Sequence, residues 1–237
     1  MRVLFGLALI LLFTGCLNGQ PQVNEEEGQE VNQLYEIEGL DRESLSDVRI
    51  KRAMQRIPRH EFVPEEYEQR AYEDSALPIG FGQTISQPFM VGLMTHAANV
   101  RKGHAVLEIG PGRGYQPALL SEIGAEVYSV EILPELSKQA GEVLSRLGYQ
   151  NVHLRVGDGW QGWPEEAPFD AIIVTASAPK PPVPLLEQLA DGGRMIIPLE
   201  KDKEFQVLMR ITRNGDDYRT EQLAEVRFVP MTGEVRE

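Results

Sequence analysis

One cysteine, Cys16, stands in 237 residues. A chain with a single cysteine cannot close an internal disulfide or build a cysteine-based zinc cluster, and no metal site is expected. Positive charge is also in deficit: 23 Lys and Arg against 36 Asp and Glu leave a formal net charge of -13. So acidic a surface repels polyphosphate, which excludes a broad nucleic-acid footprint. It also repels an anionic membrane unless something covalent holds the protein there. Long apolar runs are missing, since the longest falls well short of the roughly 20 residues a membrane-spanning helix needs. What remains, at 42% hydrophobic, 7% aromatic and 25% charged residues, is a globular composition. At about 150 residues per domain, the length fits one α/β domain with appendages.

That longest run opens the chain. After Met1-Arg2, residues 3–13 are apolar, and Thr14-Gly15-Cys16 follows. Eleven positions suit the core of a signal peptide, which spans about 7–15. A sole cysteine directly behind it resembles a prokaryotic lipoprotein signal, with Phe13 where such motifs usually carry Leu. The expectation is a signal peptide over 1–15 and a lipid on Cys16. The protein is then a membrane-anchored lipoprotein of the cell envelope, outside the cytosol, or a cytoplasmic protein if the signal goes unused. Removing residues 1–15 deletes only Arg2 among the charges and takes the net charge to -14, so lipid and not surface charge is the tether. Residues 16–40 carry Glu25, Glu26, Glu27 and Glu30 with no apolar period before Leu34, as in a solvated flexible spacer.

From Ser44 the pattern is helical. Leu45, Val48, Ala53, Met54 and Ile57 recur at three- and four-residue spacing until Pro58. A break over 59–64 and a short helical stretch over 67–72 follow, then a loop by composition over 78–82 and a helix over 90–100. Strands are expected at 105–109, 127–132, 152–156, 169–175 and 194–199, with helices through Leu119 to Ile123, from Pro134 to Leu147 and over 183–189. Two more strands, 205–212 and 222–228, flank a turn at Asn214-Gly215. Alternating strands and helices imply a doubly wound parallel sheet.

The run Glu108-Ile109-Gly110-Pro111-Gly112-Arg113-Gly114 joins the first of these strands to a helix. Its glycines let the backbone approach a ligand at the carboxyl edge of the sheet. Glu131 ends the next strand 21 residues after Gly110, where a carboxylate can accept from a ribose diol. A dinucleotide fingerprint, G-x-G-x-x-G, would put its third glycine at Tyr115, but here it is Gly114. Glu108 beside a pyrophosphate would be unfavourable, and beside a cationic ligand favourable. Both points favour S-adenosylmethionine over NAD. The third strand ends Gly157-Asp158-Gly159, which places an acid near an adenine amino group.

The stretch Leu77-Pro78-Ile79-Gly80-Phe81-Gly82-Gln83-Thr84-Ile85-Ser86-Gln87-Pro88 resembles the signature loop of the protein-L-isoaspartate O-methyltransferases. Arg59-His60-Glu61-Phe62-Val63-Pro64, Arg70-Ala71-Tyr72, Ala167-Pro168-Phe169-Asp170 and Arg227-Phe228-Val229-Pro230 agree in order and spacing. The resemblance implies a mostly parallel, seven-stranded, Rossmann-like sheet with a terminal antiparallel strand, in a methyltransferase domain over 41–237. It implies S-adenosylmethionine-dependent methylation of the free carboxylate of L-isoaspartyl residues in damaged proteins and peptides, by a monomer. By motif, Ser86 matches the active-site serine. Glu108, Gly110, Gly112, Glu131, Asp158 and Gly159 match cofactor positions, and Thr232 a substrate-side threonine. Gln83, Thr84 and Ile85 fall on the substrate side with Ser86. Two departures stand out: Pro111 and Arg113 occupy places where the family usually has Thr and Ser. Pro111 removes a backbone donor, and Arg113 adds charge near a cationic ligand.

The chemistry asks little of acids or bases. A carboxylate of pKa about 4 is already an anion at neutral pH, so Ser86 reads as a hydrogen-bond positioner and not a nucleophile. His60, His96, His104 and His153 read as structural or surface residues. Two rivals stay open: a substrate-shifted methyltransferase, and a catalytically silent lipoprotein on the same scaffold.

Overall fold

A computed structural model describes residues 45–201 and 205–233. The expected signal peptide, Cys16 and the spacer lie outside the described residues, as does the first part of the domain, 41–44.

The first helix, α1 (Val48–Arg56), starts where the Asp47 side chain accepts from the Arg49 N–H, and buries Ile50, Ala53 and Met54. A backbone donor at a helix start has no partner inside the helix, so this cap stabilises it by about 1 kcal/mol. Two short 3-10 turns follow, Arg59–Phe62 and Glu65–Arg70. The expected loop over 78–82 is instead part of a hairpin: β1 (Leu77–Gly80) pairs antiparallel with β2 (Gln83–Ile85). Leu77 and Ile79 are buried while Pro78 and Gly80 are exposed, which is the two-residue period of a strand. Proline is tolerated there because an edge strand does not need every donor. α2 (Pro88–Ala98) begins with proline in its first turn and ends at Asn99 in the left-handed conformation, φ 56°.

The main sheet comprises β3 (Ala105–Ile109), β4 (Glu126–Glu131), β5 (Val152–Val156), β6 (Phe169–Val174), β7 (Leu189–Glu200), β8 (Gln206–Asn214) and β9 (Asp217–Val226). Its order is β5-β4-β3-β6-β7-β8-β9. The pairings from β5 through β7 are parallel, and β8 runs antiparallel to both β7 and β9. The antiparallel part of the sheet is thus a whole hairpin, turned at Gly215 (φ 61°) between the paired Asn214 and Asp217. α3 (Tyr115–Ile123), α4 (Pro134–Arg146) and α5 (Val183–Glu187) make the crossovers.

Successive side chains of a strand point to opposite faces, and two buried clusters follow from that. Val106, Val127, Ala171, Ile173 and Ile196 pack with Met94, Ala97 and Ala98 of α2 and Leu120 of α3. Leu107, Ile109, Ile172, Val174, Met195 and Ile197 pack with Trp160 and with Leu185 of α5. A third cluster joins Ile50 and Met54 to Ile79 and Ile85 of the hairpin, Tyr115 and Leu119 of α3, and Leu136 and Ala140 of α4. Burial of such side chains stabilises by about 1.5–3 kcal/mol each, so the hairpin is held by its own apolar face. From β3 the chain steps outward to β4 and β5, then returns to β6 on the other flank. That reversal opens a crevice at the carboxyl ends of β3 and β6, where open α/β sheets bind ligands.

Candidate active site

The crevice is floored by the glycine turn. Gly110, Gly112 and Gly114 have φ of 88°, 57° and 101°, a region other residues enter only under strain. Space is short as well: a Cβ on Gly110 would lie 2.7 Å from Thr175 Oγ1, and one on Gly112 2.8 Å from Ile79 Cδ1. Thr175, just past β6, places its Oγ1 2.8 Å from the Ile109 carbonyl and 2.7 Å from the Gly110 carbonyl. Glu131 ends β4 with its two oxygens split, Oε2 accepting from Gly112 N–H at 3.1 Å and Oε1 from Leu133 N–H at 3.0 Å. Burial pushes its carboxyl up from the ordinary range, and these backbone donors partly restore it.

Glu108 is fully buried, and neither carboxylate oxygen has a hydrogen-bond partner. Burial raises it well above the usual carboxyl range and the Glu131 charge adds to that, while the Ser129 and Thr175 hydroxyls oppose it. An orphaned buried acid is costly unless a positive charge comes near. Asp158 accepts from Trp160 N–H at 2.9 Å through Oδ1 and adjoins Gly159 at the cleft. Gly159 does line it, and a Cβ there would collide with the Ile109 side chain.

The opposite wall is the β1–β2 hairpin together with Ser86, directly after β2. Gln83, Thr84, Ile85 and Ser86 all face the cleft. The carbonyl of Ser86 is held by Nη2 of Arg59 at 2.8 Å, while Arg59 Nε donates to the Ala71 carbonyl at 2.7 Å. Arg59 has no solvent exposure, and its guanidinium lies 4.5 Å from the centre of the Tyr115 ring. Phe89 N–H, at the start of α2, donates to Asp74 at 2.9 Å, so both sides of Ser86 are pinned. The last wall is residues 229–232, tied to the loop after β6 by Ser177 N–H to Val229 O (2.8 Å) and Met231 N–H to Ser177 O (2.7 Å).

Together these walls line an open cleft of about 860 Å³, counting the solvent at its mouth. Of the residues expected from sequence, it brings together Ser86, Gln83, Thr84, Ile85, Gly110, Gly112, Glu131, Gly159 and Thr232. Glu108 is buried at the end of β3, and Asp158, which caps the turn at Trp160, adjoins cleft-lining Gly159. Arg59, Thr175 and Tyr115 belong to the site but were not singled out as candidates. Thr175, a polar residue ending an apolar strand, had a readable signal; a buried arginine has none. No histidine lines the cleft: His60 bonds the Tyr72 hydroxyl, and His153 bonds Glu126. A wider groove of about 1370 Å³ adjoins, sharing Thr84, Ser86, Thr175 and Val229 and walled by Phe89, Met90, Leu93 and Phe228.

The cleft fits a nucleoside bearing a cationic centre. Glu131 keeps acceptor sites beyond its two backbone bonds, the glycine turn leaves no Cβ in the way, and Glu108 is an acid lacking a counter-charge. Comparison with known proteins agrees. The family described as Protein-L-isoaspartate(D-aspartate) O-methyltransferase (PCMT) matches residues 30–236. Protein-L-isoaspartate O-methyltransferase 2 of Shewanella sediminis is 46% identical over 227 residues, covering 96% of this chain and 93% of that protein. The Gloeobacter violaceus protein-L-isoaspartate O-methyltransferase is 53% identical over 182 residues, covering 77% of this chain and 89% of that protein. A solved protein-L-isoaspartate O-methyltransferase superposes with TM-score 0.75 at 33% identity, over 79% of this chain and 62% of its own. A Plasmodium falciparum structure of the same designation, solved with S-adenosyl-L-homocysteine, gives TM-score 0.70 at 28% identity, over 80% and 92%.

Proposed function

The chain belongs to the protein-L-isoaspartate(D-aspartate) O-methyltransferase family, and from that premise we propose how its cleft methylates the free carboxylate of L-isoaspartyl residues in damaged proteins and peptides. The reaction depends on S-adenosylmethionine and initiates repair. The observation that carries this reading is one cleft holding both the glycine turn with Glu131 and the hairpin with Ser86.

When bound, S-adenosylmethionine supplies a methyl group already activated by its sulfonium. Glu131 holds the ribose diol with the acceptor sites its backbone bonds leave over. Gly110 and Gly112 allow close approach, and Gly159 keeps the adenine side open. Asp158, beside Gly159 and capping the turn at Trp160, accepts from the adenine amino group. Glu108, whose burial favours the neutral carboxyl, ionises more readily when a cation binds beside the turn. Ser86, with Gln83, Thr84 and Ile85 beside it and Thr232 opposite, receives the substrate acid by hydrogen bonding. That acid is ionised at neutral pH, so no base is needed, and the work of these residues is orientation at near-attack distance. Ile79, Ile85, Val91, Ile109 and Val130 line the cleft. These apolar walls strip water from the incoming anion. The adjoining groove, continuous with Ser86, accommodates the chain flanking the damaged residue.

The test is methyl incorporation from labelled S-adenosylmethionine into an isoaspartyl peptide and its normal aspartyl twin. Labelling of the first alone is expected. Labelling of neither, or of both alike, contradicts the reading. We further propose that a lipid on Cys16 tethers the domain outside the cytosol through the 16–40 spacer, and that it works as a monomer. The sole cysteine behind an apolar run supports the tether. Wild type should sediment with membranes and C16S should not; a soluble wild type would refute the tether. Light scattering should give the mass of one chain.

A further inference from the structure

Glycine turns of this kind hold anions through backbone N–H groups, but here the donors of the three glycines are committed. Gly110 N–H donates to Val130 O at 3.0 Å, and Gly114 N–H to Pro111 O at 2.8 Å. Gly112 N–H is held by Glu131 at 3.1 Å. Pro111 has no N–H to give. No side chain caps the Tyr115 and Gln116 N–H groups at the start of α3, and Pro117 after them lacks a donor. An anionic group entering on this side of the cleft finds no glycine donor and is held more strongly by a charged partner.

Arg113 is that partner's only charged source. Among the described residues lining the cleft, it is the sole cation, and Glu131 the sole anion. Arg113 Nε is shielded from solvent and has no acceptor, and none of the described ion pairs includes it. A guanidinium presents Nε and Nη as a fork that matches a carboxylate. Resting on the methyltransferase reading, we propose that Arg113 binds the α-carboxylate on the amino-acid arm of S-adenosylmethionine, taking the place of the committed glycine donors.

The substrate acid is the other anion of the reaction, and it is the poorer match. Arg113 directly follows Gly112, which Glu131 holds on the nucleoside side. The substrate side already has neutral donors in Gln83, Thr84 and Ser86. A fixed guanidinium on the attacking carboxylate would stabilise the ground state more than the transition state, in which that negative charge is being lost. A guanidinium on the amino-acid arm carries no such penalty, and it offsets the acidic pair Glu108 and Glu131.

Titration calorimetry on the full chain tests this with two ligands. S-adenosylhomocysteine has the amino-acid arm, and 5′-methylthioadenosine lacks it. R113Q should weaken S-adenosylhomocysteine about tenfold to a hundredfold, the worth of a charge-assisted hydrogen bond. It should leave 5′-methylthioadenosine within about twofold, which also shows that the turn is intact. R113K, which keeps the charge and loses the fork, should fall between. Equal weakening of both ligands, or S-adenosylhomocysteine binding unchanged in R113Q, overturns the proposal while the methyltransferase reading stands. A raised peptide KM with cofactor affinity intact also overturns it, by assigning Arg113 to the substrate acid. A wild type that binds neither ligand overturns the methyltransferase reading and this proposal with it.

Discussion

Replacing Arg59 with methionine removes the one side chain that ties Ser86 to the protein interior. Methionine fills a comparable length without donors. Two carbonyls, Ala71 O at 2.7 Å and Ser86 O at 2.8 Å, lose their partners. Each such bond to a charged donor is worth about 1.5–3 kcal/mol. The guanidinium over the Tyr115 ring, 4.5 Å from its centre, adds up to about 2 kcal/mol when desolvated. Against this, methionine relieves a desolvation cost, since burial pushes the arginine pKa down even with Tyr115 and Asp74 opposing that shift. The net loss should be about 3–5 kcal/mol, the scale seen when a buried charged partner is removed. For a domain of this size that lowers Tm by about 6–20 °C. Below that temperature kcat should fall at least tenfold, because displacing a positioning group by an ångström costs on the order of a hundredfold. S-adenosylhomocysteine affinity should fall less than kcat. Differential scanning fluorimetry, calorimetry and the peptide assay read the three quantities. A Tm within about 2 °C of wild type refutes the energetic argument. A lowered Tm with full kcat would leave Arg59 a stabilising residue only.

Ser86→Ala should lower kcat by about a hundredfold with S-adenosylhomocysteine affinity within about twofold, if the hydroxyl positions the acid; full activity would remove it from the mechanism. Glu108 makes stability depend on pH. Its folded-state carboxyl is raised above the ordinary value of 4.5, so the native state holds a proton the unfolded chain has released. Its contribution to stability is therefore fully present below pH 4.5 and is lost as pH climbs through the folded-state value. Glu108→Gln removes the titration, and its Tm advantage should widen with rising pH across that window. An offset that is constant with pH would show that the acid is not perturbed.

Much of this was legible before the fold was seen, and the reasons are physical. Strands covered on both faces, such as Phe169–Val174, read as unbroken apolar runs. The glycines and Glu131 fall at strand ends because a doubly wound sheet puts its ligands there. The hairpin was hidden by its own composition. Pro78, Gly80 and Gly82 signal a loop, although Leu77, Ile79 and Ile85 alternate toward a core that only the tertiary fold supplies. Asp158 illustrates a different limit. An Asp-Gly at a strand end can reach a ligand, cap the next turn or do both, and the cap on Trp160 N–H shows only in the fold. Arg59 had no signal, because its burial follows from Tyr115, Ala71 and Ser86 converging from three segments far apart in sequence.

The central claim is spatial: nucleoside and damaged acid meet in one cleft, the first on Glu131 and the second on Ser86. A crystal structure with S-adenosylhomocysteine and an isoaspartyl peptide tests it most directly. The ribose hydroxyls should bond Glu131, and the free side-chain acid should lie between the ligand sulfur and the Ser86 hydroxyl. A nucleoside bound away from Glu131, or an acid bound away from Ser86, would contradict the account.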